Sequence, residues 1–250
     1  MFVLYSIIYV QFLLNFMLIL QKIRSELKKN SDEKIKEGSK RFFKEKIKVY
    51  GIKTSVVIQI SKNYYSEVKN KTKKEIFELC EELFKSGYME ESFMACNWSY
   101  NVHKQFQEKD IKLFEKWIEN YVTNWATCDT FCNHTMGKLI EMYPNQVSTL
   151  KKWAKSKNMW MRRAAAVSLI VPAKKGLFLK DAFEIADILM MDKEDLVQKG
   201  YGWMLKEASR TKQKEIFNYV IKNKKVMPRT ALRYAIEKMP QELRKKAMEK

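Results

Sequence analysis

The chain has 250 residues, of which 46% are hydrophobic and 13% aromatic, so it can bury a sizeable core. Only 7 Gly and 4 Pro are present, and because sheet folds need many turns, this scarcity argues against a sheet fold and favours an all-α protein. Lys and Arg total 48 against 29 Asp and Glu, a formal net charge of +19. This excess indicates a polyanionic partner, nucleic acid before anionic membrane, with a merely lysine-rich surface as the alternative.

Residues 1–20 are apolar apart from three polar side chains. Their length suits a membrane span, but the segment has no basic start and no small-residue cleavage site, so it is a poor cleavable signal. The alternatives are an uncleaved anchor, a buried first helix, and an over-long start with the true start at Met17. We favour the buried helix or the non-native extension, leave membrane contact through this segment open, and expect one repeat domain over residues 21–250.

Helices follow one another through the first half of the chain. Apolar residues at helical spacing, together with helix-ending glycines such as Gly51 and Gly87, set their limits. The pattern predicts helices over residues 17–30, 33–47, 55–68, 73–86, 90–105 and 111–120.

The second half contains a weak internal repeat. In each copy a short apolar helix, predicted over 147–156, 179–190 and 214–222, precedes a helix that opens with polar or basic residues. A helix pair that recurs after about 31–36 residues is typical of a HEAT-like α-solenoid of stacked antiparallel helix pairs. In such a solenoid the second helices line the concave face.

Basic residues fall near the starts of these second helices. Helix starts carry unpaired N–H groups and a positive partial charge, which suit phosphate oxygens. The repeat therefore predicts a concave basic face that binds the backbone of a duplex. The candidate DNA-binding residues are Arg162, Arg163, Lys199, Arg229 and Arg233.

An indole and a carboxylate stand four residues apart at Trp125 and Asp129, which places them on one face of a helix. A carboxylate beside an indole in so basic a chain is unusual for stability alone, so the pair is a candidate chemical centre. The alternatives are that Trp125 and Trp203 are core residues and that Asp129 is a surface charge or a helix cap.

The four cysteines show no disulfide framework, which favours a reduced, cytosolic protein. Cys128 and Cys132 followed by His134 suggest a zinc site, but no fourth ligand and no second cysteine pair stand nearby. We therefore favour two cysteines that fill small gaps in a helix, and expect no metal.

Four segments, in their order and spacing, resemble the AlkD-like alkylpurine DNA glycosylases, a family built from HEAT-like helix pairs. The resemblance runs from roughly Tyr50 to Lys238. Its most specific parts are Asn124–Asp129, Trp160–Ala165, Val197–Glu207 and Arg229–Ala235.

The resemblance implies excision of N3- or N7-alkylated purines from double-stranded DNA, by hydrolysis of the N-glycosidic bond and without a cofactor. Such a base carries a positive charge and leaves without being protonated. Asp129 matches the family's catalytic Asp, which would stabilise the oxocarbenium-like sugar. Trp125 and Trp203 match its cleft indoles, whose faces favour a cation. Arg163 matches its phosphate-binding Arg, with Arg162 a second candidate for that role.

The chain departs from the family pattern next to the candidate aspartate. Typical members carry a second aromatic or acidic residue there, where this chain has Ala126, Thr127 and Cys128. The alternative function is a non-catalytic HEAT-repeat module that binds nucleic acid or protein. In either case we expect a monomer in the cytoplasm, associated with the nucleoid.

Overall fold

The computed structural model describes residues 2–249, with side chains described from residue 16 onward. By their internal contacts these residues form two compact units, Met1–Gln105 and Phe106–Lys250. Within the described part all regular structure is helical, apart from one isolated bridge between Lys48 and Tyr88. The all-α prediction is therefore confirmed, while the single repeat domain over residues 21–250 stays a prediction.

The first unit is built from α-helices that begin where the sequence supplies a cap. Asp32 accepts from the backbone N–H groups of Lys34 and Ile35, and Thr72 forms a capping box with Glu75. Its helices are α1 (Phe2–Lys29), α2 (Glu33–Phe42), α3 (Thr54–Val68), α4 (Lys73–Lys85) and α5 (Met89–Asn101).

Helix α1 is longer than the helix predicted over 17–30, because it begins at Phe2. In its second half Ile23 and Leu27 are completely buried, which makes this half a core helix, while Met17 is 57% exposed. The side chains of residues 1–15, on which the prediction for the N-terminal segment mostly depends, lie outside the described residues. Within the described residues, no helix is long and apolar enough to cross a membrane.

Helix α2 ends at Phe42, earlier than the predicted limit of 47, and none of its side chains is buried. By contrast, α3 and α5 are joined inside the unit. The indole N–H of the fully buried Trp98 on α5 donates to the carbonyl of Ser61 on α3 over 3.1 Å. A buried hydrogen bond of this kind fixes the two helices against each other.

The second unit contains the predicted helix pairs, with α9 before α10, α12 before α13 and α14 before α15. Their buried faces carry small and aliphatic residues, and α10 has an uninterrupted buried run from Ala164 to Val167. The helices are α6 (Asp110–Tyr121), α7 (Trp125–Phe131), α8 (Gly137–Met142), α9 (Val147–Trp153), α10 (Met159–Val167), α11 (Ile170–Lys174), α12 (Leu179–Leu189), α13 (Asp195–Ala208), α14 (Gln213–Asn223), α15 (Arg229–Ile236) and α16 (Gln241–Met248).

Helices α7 and α8 are continuous through a π-helical turn at Cys132–Met136. A turn of this type contains one residue more than an α-helical turn, and such turns are frequent at functional sites. Leu139 and Ile140 on α8 are completely buried. The core therefore fixes the far end of the helix that carries the candidate aspartate.

Helix α13 packs against α10 on one side and α15 on the other. A Cβ atom at Gly202 would lie 2.7 Å from the Cβ atom of Tyr234 and 2.8 Å from the carbonyl oxygen of Ala231. These distances leave room only for glycine, so α15 crosses α13 at close range beside Trp203.

Candidate active site

A two-fold ion pair joins Asp129 on α7 to Arg163 on α10. The Nε and Nη2 atoms of Arg163 donate to the two carboxylate oxygens of Asp129, each over 2.8 Å. The side chains are only 5% exposed for Arg163 and 13% for Asp129. Parallel charge-assisted hydrogen bonds of this kind fix the carboxylate in orientation as well as in position.

Helix α13 holds the same arginine from the other side. The Nη1 atom of Arg163 donates to the backbone carbonyl of Leu196. One turn later along α13, a Cβ atom at Gly200 would lie 3.4 Å from Cγ of Arg163. The side chain of Arg163 therefore packs closely against this glycine. The position of Asp129 is therefore set by three helices through one arginine.

The carboxylate of Asp129 keeps hydrogen-bonding capacity that the protein does not use. Within the described residues, Arg163 is its only hydrogen-bond donor, with one bond to each oxygen. An ionised carboxylate offers about four lone-pair sites. The remaining sites, on a side chain that still reaches the surface, are available to a water molecule or to a developing positive charge.

Burial raises the pKa of Asp129 above its ordinary value, and the hydrogen bonds and charge of Arg163 oppose this rise. In return, burial works against the charged form of Arg163, but the bonds to Asp129 outweigh it and raise the pKa of the guanidinium. The carboxylate therefore takes up a proton at a higher pH than a solvent-exposed aspartate does, and Arg163 limits that change.

The two candidate indoles lie on helices that meet at this ion pair. Trp125 begins α7, where the side chain of Asn124 caps the helix by accepting from the N–H of Thr127 over 2.9 Å. Trp125 stands one turn before Asp129. Trp203 stands one turn after Gly200 on α13. Both indoles are half-buried, unlike the fully buried core residue Trp117, and their roles at the site stay predictions.

Three of the predicted DNA-binding residues are engaged within the protein. Arg163 pairs with Asp129, and Lys199 pairs with Asp195 over 2.6 Å. Arg162 binds the Asp192 carboxylate at 2.5 and 3.3 Å and also donates to two backbone carbonyls before α10. Because these groups are already bound, their contact with phosphate stays a prediction.

Two predicted DNA-binding residues present their charge to solvent. Arg229 and Arg233 lie four residues apart on α15, and both are exposed. No hydrogen bond or ion pair involves either side chain within the described part of the chain. They are the best placed of the predicted residues to meet a phosphate group.

Sequence reasoning missed the two residues of α13 that seat Arg163. Leu196 contributes only its backbone carbonyl, which no side-chain pattern reveals. Gly200 lies inside a segment that carries the family resemblance, and a glycine within a helix is the signal for a close approach. That signal does not say which partner approaches.

The cysteines beside the ion pair have no reactive character. Cys128 and Cys132 are completely buried. A hydrogen bond with Cys132, together with burial, raises the pKa of the Cys128 thiol well above its ordinary value. Among the described side chains, no three His, Cys, Asp or Glu residues are grouped in a way that could hold a metal ion. The thiols therefore pack as small core groups.

Comparisons with known proteins point to one class of protein. A family model described as "DNA alkylation repair enzyme" matches residues 23–239. No curated protein matches the sequence significantly. Among solved structures, a "Predicted DNA alkylation repair enzyme from Enterococcus faecalis" is similar with a TM-score of 0.76 and 15% sequence identity, over 85% of this chain and 98% of that one. At this identity the structural similarity concerns the fold.

Proposed function

The chain belongs to the DNA alkylation repair enzyme family, as the sequence resemblance predicted, and we propose which repair reaction it catalyses. We propose a DNA glycosylase that removes positively charged N3- or N7-alkylated purines from duplex DNA. Water adds to the anomeric carbon, the glycosidic bond breaks, and free base and an abasic site remain. The proposed enzyme uses no cofactor and acts as a single chain on DNA in the cytoplasm.

One observation carries this proposal. The carboxylate of Asp129 is held by two 2.8 Å bonds from one guanidinium, while its other lone pairs stay unused within the described residues. Cleavage of a glycosidic bond develops positive charge at the sugar. A negative group that is fixed before the reaction stabilises this charge without the cost of reorganising during it. The unused lone pairs also suit the attacking water, which Asp129 would orient and deprotonate.

Arg163 supports this chemistry indirectly. It holds the carboxylate in one orientation and opposes the rise in pKa that burial causes, so more of Asp129 stays ionised. Because its side chain is almost entirely buried, we assign it as a positioning residue for Asp129. A direct contact between Arg163 and a phosphate would use the guanidinium N–H groups that do not bond to Asp129 or Leu196.

The indoles fit the charge of the proposed substrate. The face of an indole ring attracts a cation, and both an alkylated purine and an oxocarbenium-like sugar carry positive charge. Trp125 stands on the face of α7 that carries Asp129, and Trp203 on the helix that seats Arg163. We propose that the two rings flank the lesion while Asp129 faces its sugar.

The basic surface supplies the affinity for DNA. The chain has a net charge of +19. When its Lys and Arg residues neutralise phosphates, the counterions condensed on the DNA are released, and this favours binding at low salt. The exposed Arg229 and Arg233 are the proposed phosphate contacts in the second unit. Lys199 and Arg162 would join them by exchanging an internal partner for a phosphate.

The decisive experiment measures base release. A duplex that carries 7-methylguanine or 3-methyladenine is incubated with excess protein, and free base is quantified by chromatography together with abasic sites in the strand. We expect both products in equal amounts and no release of unmodified guanine. Salt-sensitive binding of the duplex without any base release would overturn the glycosylase and support the non-catalytic binding module.

A further inference from the structure

A cleft of about 260 Å³ opens between α3 and α5 of the first unit, away from the candidate active site in sequence. None of the described residues that line it carries a carboxylate. The lining residues are Ile58, Ser61, Lys62, Tyr65, Asn97 and Asn101.

The cleft has rigid walls. The hydrogen bond from the indole of Trp98 to the carbonyl of Ser61 joins the two helices directly beneath it. The ring of Tyr65 packs 6.0 Å from the ring of Trp98, measured between centroids. A ligand in this cleft would meet side chains whose backbone is already fixed.

Hydrogen-bond donors converge on this cleft. Asn97 and Asn101 are four residues apart on α5 and so share one face, and Lys62 and Tyr65 are three apart on α3. Within the described residues, the amides and the ammonium group have no hydrogen-bond partner. Burial raises the pKa of Tyr65, which keeps its hydroxyl protonated and able to donate.

A second groove, which does contain carboxylates, provides a comparison for the cleft between α3 and α5. The larger groove between α6 and α9, about 660 Å³, also carries lysines, but Glu108 and Glu115 line it. Both glutamates are engaged: Glu108 accepts from Asn145 and Gln146, and Glu115 accepts from Trp153. Negative charge in that groove disfavours an anion, whereas the cleft between α3 and α5 offers only neutral and positive groups.

We propose that the cleft between α3 and α5 binds a phosphodiester group of the DNA backbone. A phosphodiester is an acceptor without donors, and lysine, tyrosine and asparagine side chains are common phosphate contacts in protein–DNA complexes. The proposal rests on the proposed function for the identity of the polyanion. It adds a contact in the first unit to those on α15 of the second.

Binding of an undamaged duplex tests the proposal without requiring catalysis. Fluorescence anisotropy over a series of salt concentrations would compare the wild-type chain with Lys62→Ala and with Asn97→Ala/Asn101→Ala. We expect Lys62→Ala to weaken binding and to lower the slope of log affinity against log salt by about one, because one phosphate contact is lost. The double variant should weaken binding at least about fivefold and leave the slope unchanged, because amides carry no charge.

Lys74→Ala is the matched control, since Lys74 is 87% exposed on α4 of the same unit. If Lys62→Ala and Lys74→Ala change affinity and slope equally, or if the double asparagine variant binds like the wild type, the cleft is not a phosphate site. Tighter binding to single-stranded RNA than to duplex DNA, lost in both variants, would also overturn the DNA assignment. Because the duplex carries no lesion, this assay does not depend on base release, so a failure of the glycosylase proposal is seen separately, in the base-release assay on the wild-type chain.

Discussion

Two neighbouring arginines on α10 form two ion pairs of similar geometry but different roles. Arg163 binds Asp129, and Arg162 binds Asp192, the residue that follows α12 by three positions. Both arginines bind their carboxylate through Nε and Nη2. Through Nη1, Arg163 donates to one backbone carbonyl and Arg162 to two. The sequence alone makes the two arginines nearly equivalent.

The two ion pairs differ in what else their carboxylates bind. Asp192 also accepts from the backbone N–H of Glu194 over 2.9 Å, and its side chain is 7% exposed, so it closes the turn before α13. Asp129 accepts nothing beyond Arg163 within the described residues. A carboxylate that also binds the backbone of a turn serves the fold, whereas one that is held by a single arginine and can still accept further hydrogen bonds suits catalysis.

The largest effect is expected at Asp129. Asp129→Asn should slow release of 7-methylguanine about 10²–10³-fold, because the amide cannot stabilise positive charge at the sugar. Duplex binding should persist, which anisotropy would show. Asp192→Asn is the control: it should lower the melting temperature and leave base release from the folded protein unchanged. Equal loss of activity in both variants would erase the distinction between the pairs.

Arg163→Met should slow base release at least about tenfold and change its pH dependence. In the wild type, release should fall as pH drops through the raised pKa of Asp129, because the protonated carboxyl carries no charge. Without Arg163 that pKa rises further, so the acid side of the single-turnover pH–rate profile should move to higher pH. A profile that keeps its position, or moves to lower pH, would contradict the positioning role.

Arg162→Met should lower stability and leave the reacting carboxylate of Asp129 unaffected. It removes charge-assisted bonds to a nearly buried carboxylate, which should cost about 1.5–3 kcal/mol of unfolding free energy in urea titration. The acid limb of its pH–rate profile should coincide with that of the wild type. A shift as large as that of Arg163→Met would mean that Asp192, too, controls the reacting group.

The smallest effects are expected on α15. Arg229→Ala and Arg233→Ala should each lower the salt slope of duplex binding by about one, with base release at saturating enzyme unchanged. Arg244→Ala on α16, another exposed arginine, is the control and should leave the slope intact. An unchanged slope in all three variants would place the DNA contacts elsewhere.

The sequence predicted the helices and the candidate residues better than it predicted how they are bonded. The scarcity of Gly and Pro, the apolar spacing and the repeat identified the α-helices and the helix pairs of the second unit. The end of α2 was predicted too late, because the charged residues after Phe42 fit a solvated helix as well as an irregular segment. Asp129 and Arg163 were both named, but as separate groups.

Their pairing was out of reach for a physical reason. The two residues are 34 positions apart, and their contact depends on how α7, α10 and α13 stack. A basic residue at a helix start fits a phosphate contact and a buried ion pair equally well, and local sequence does not distinguish them. The bond to the Leu196 carbonyl leaves no trace in side-chain chemistry at all.

The π-helical turn at Cys132–Met136 makes the candidate site sensitive to chain length. Leu139 and Ile140 fix the helix beyond the turn in the core. Removing one residue from the turn would turn the preceding residues by about 100° around the helix axis. Asp129 would then face away from Arg163, although every residue of the site was still present. In this segment a one-residue deletion is therefore more damaging than most substitutions.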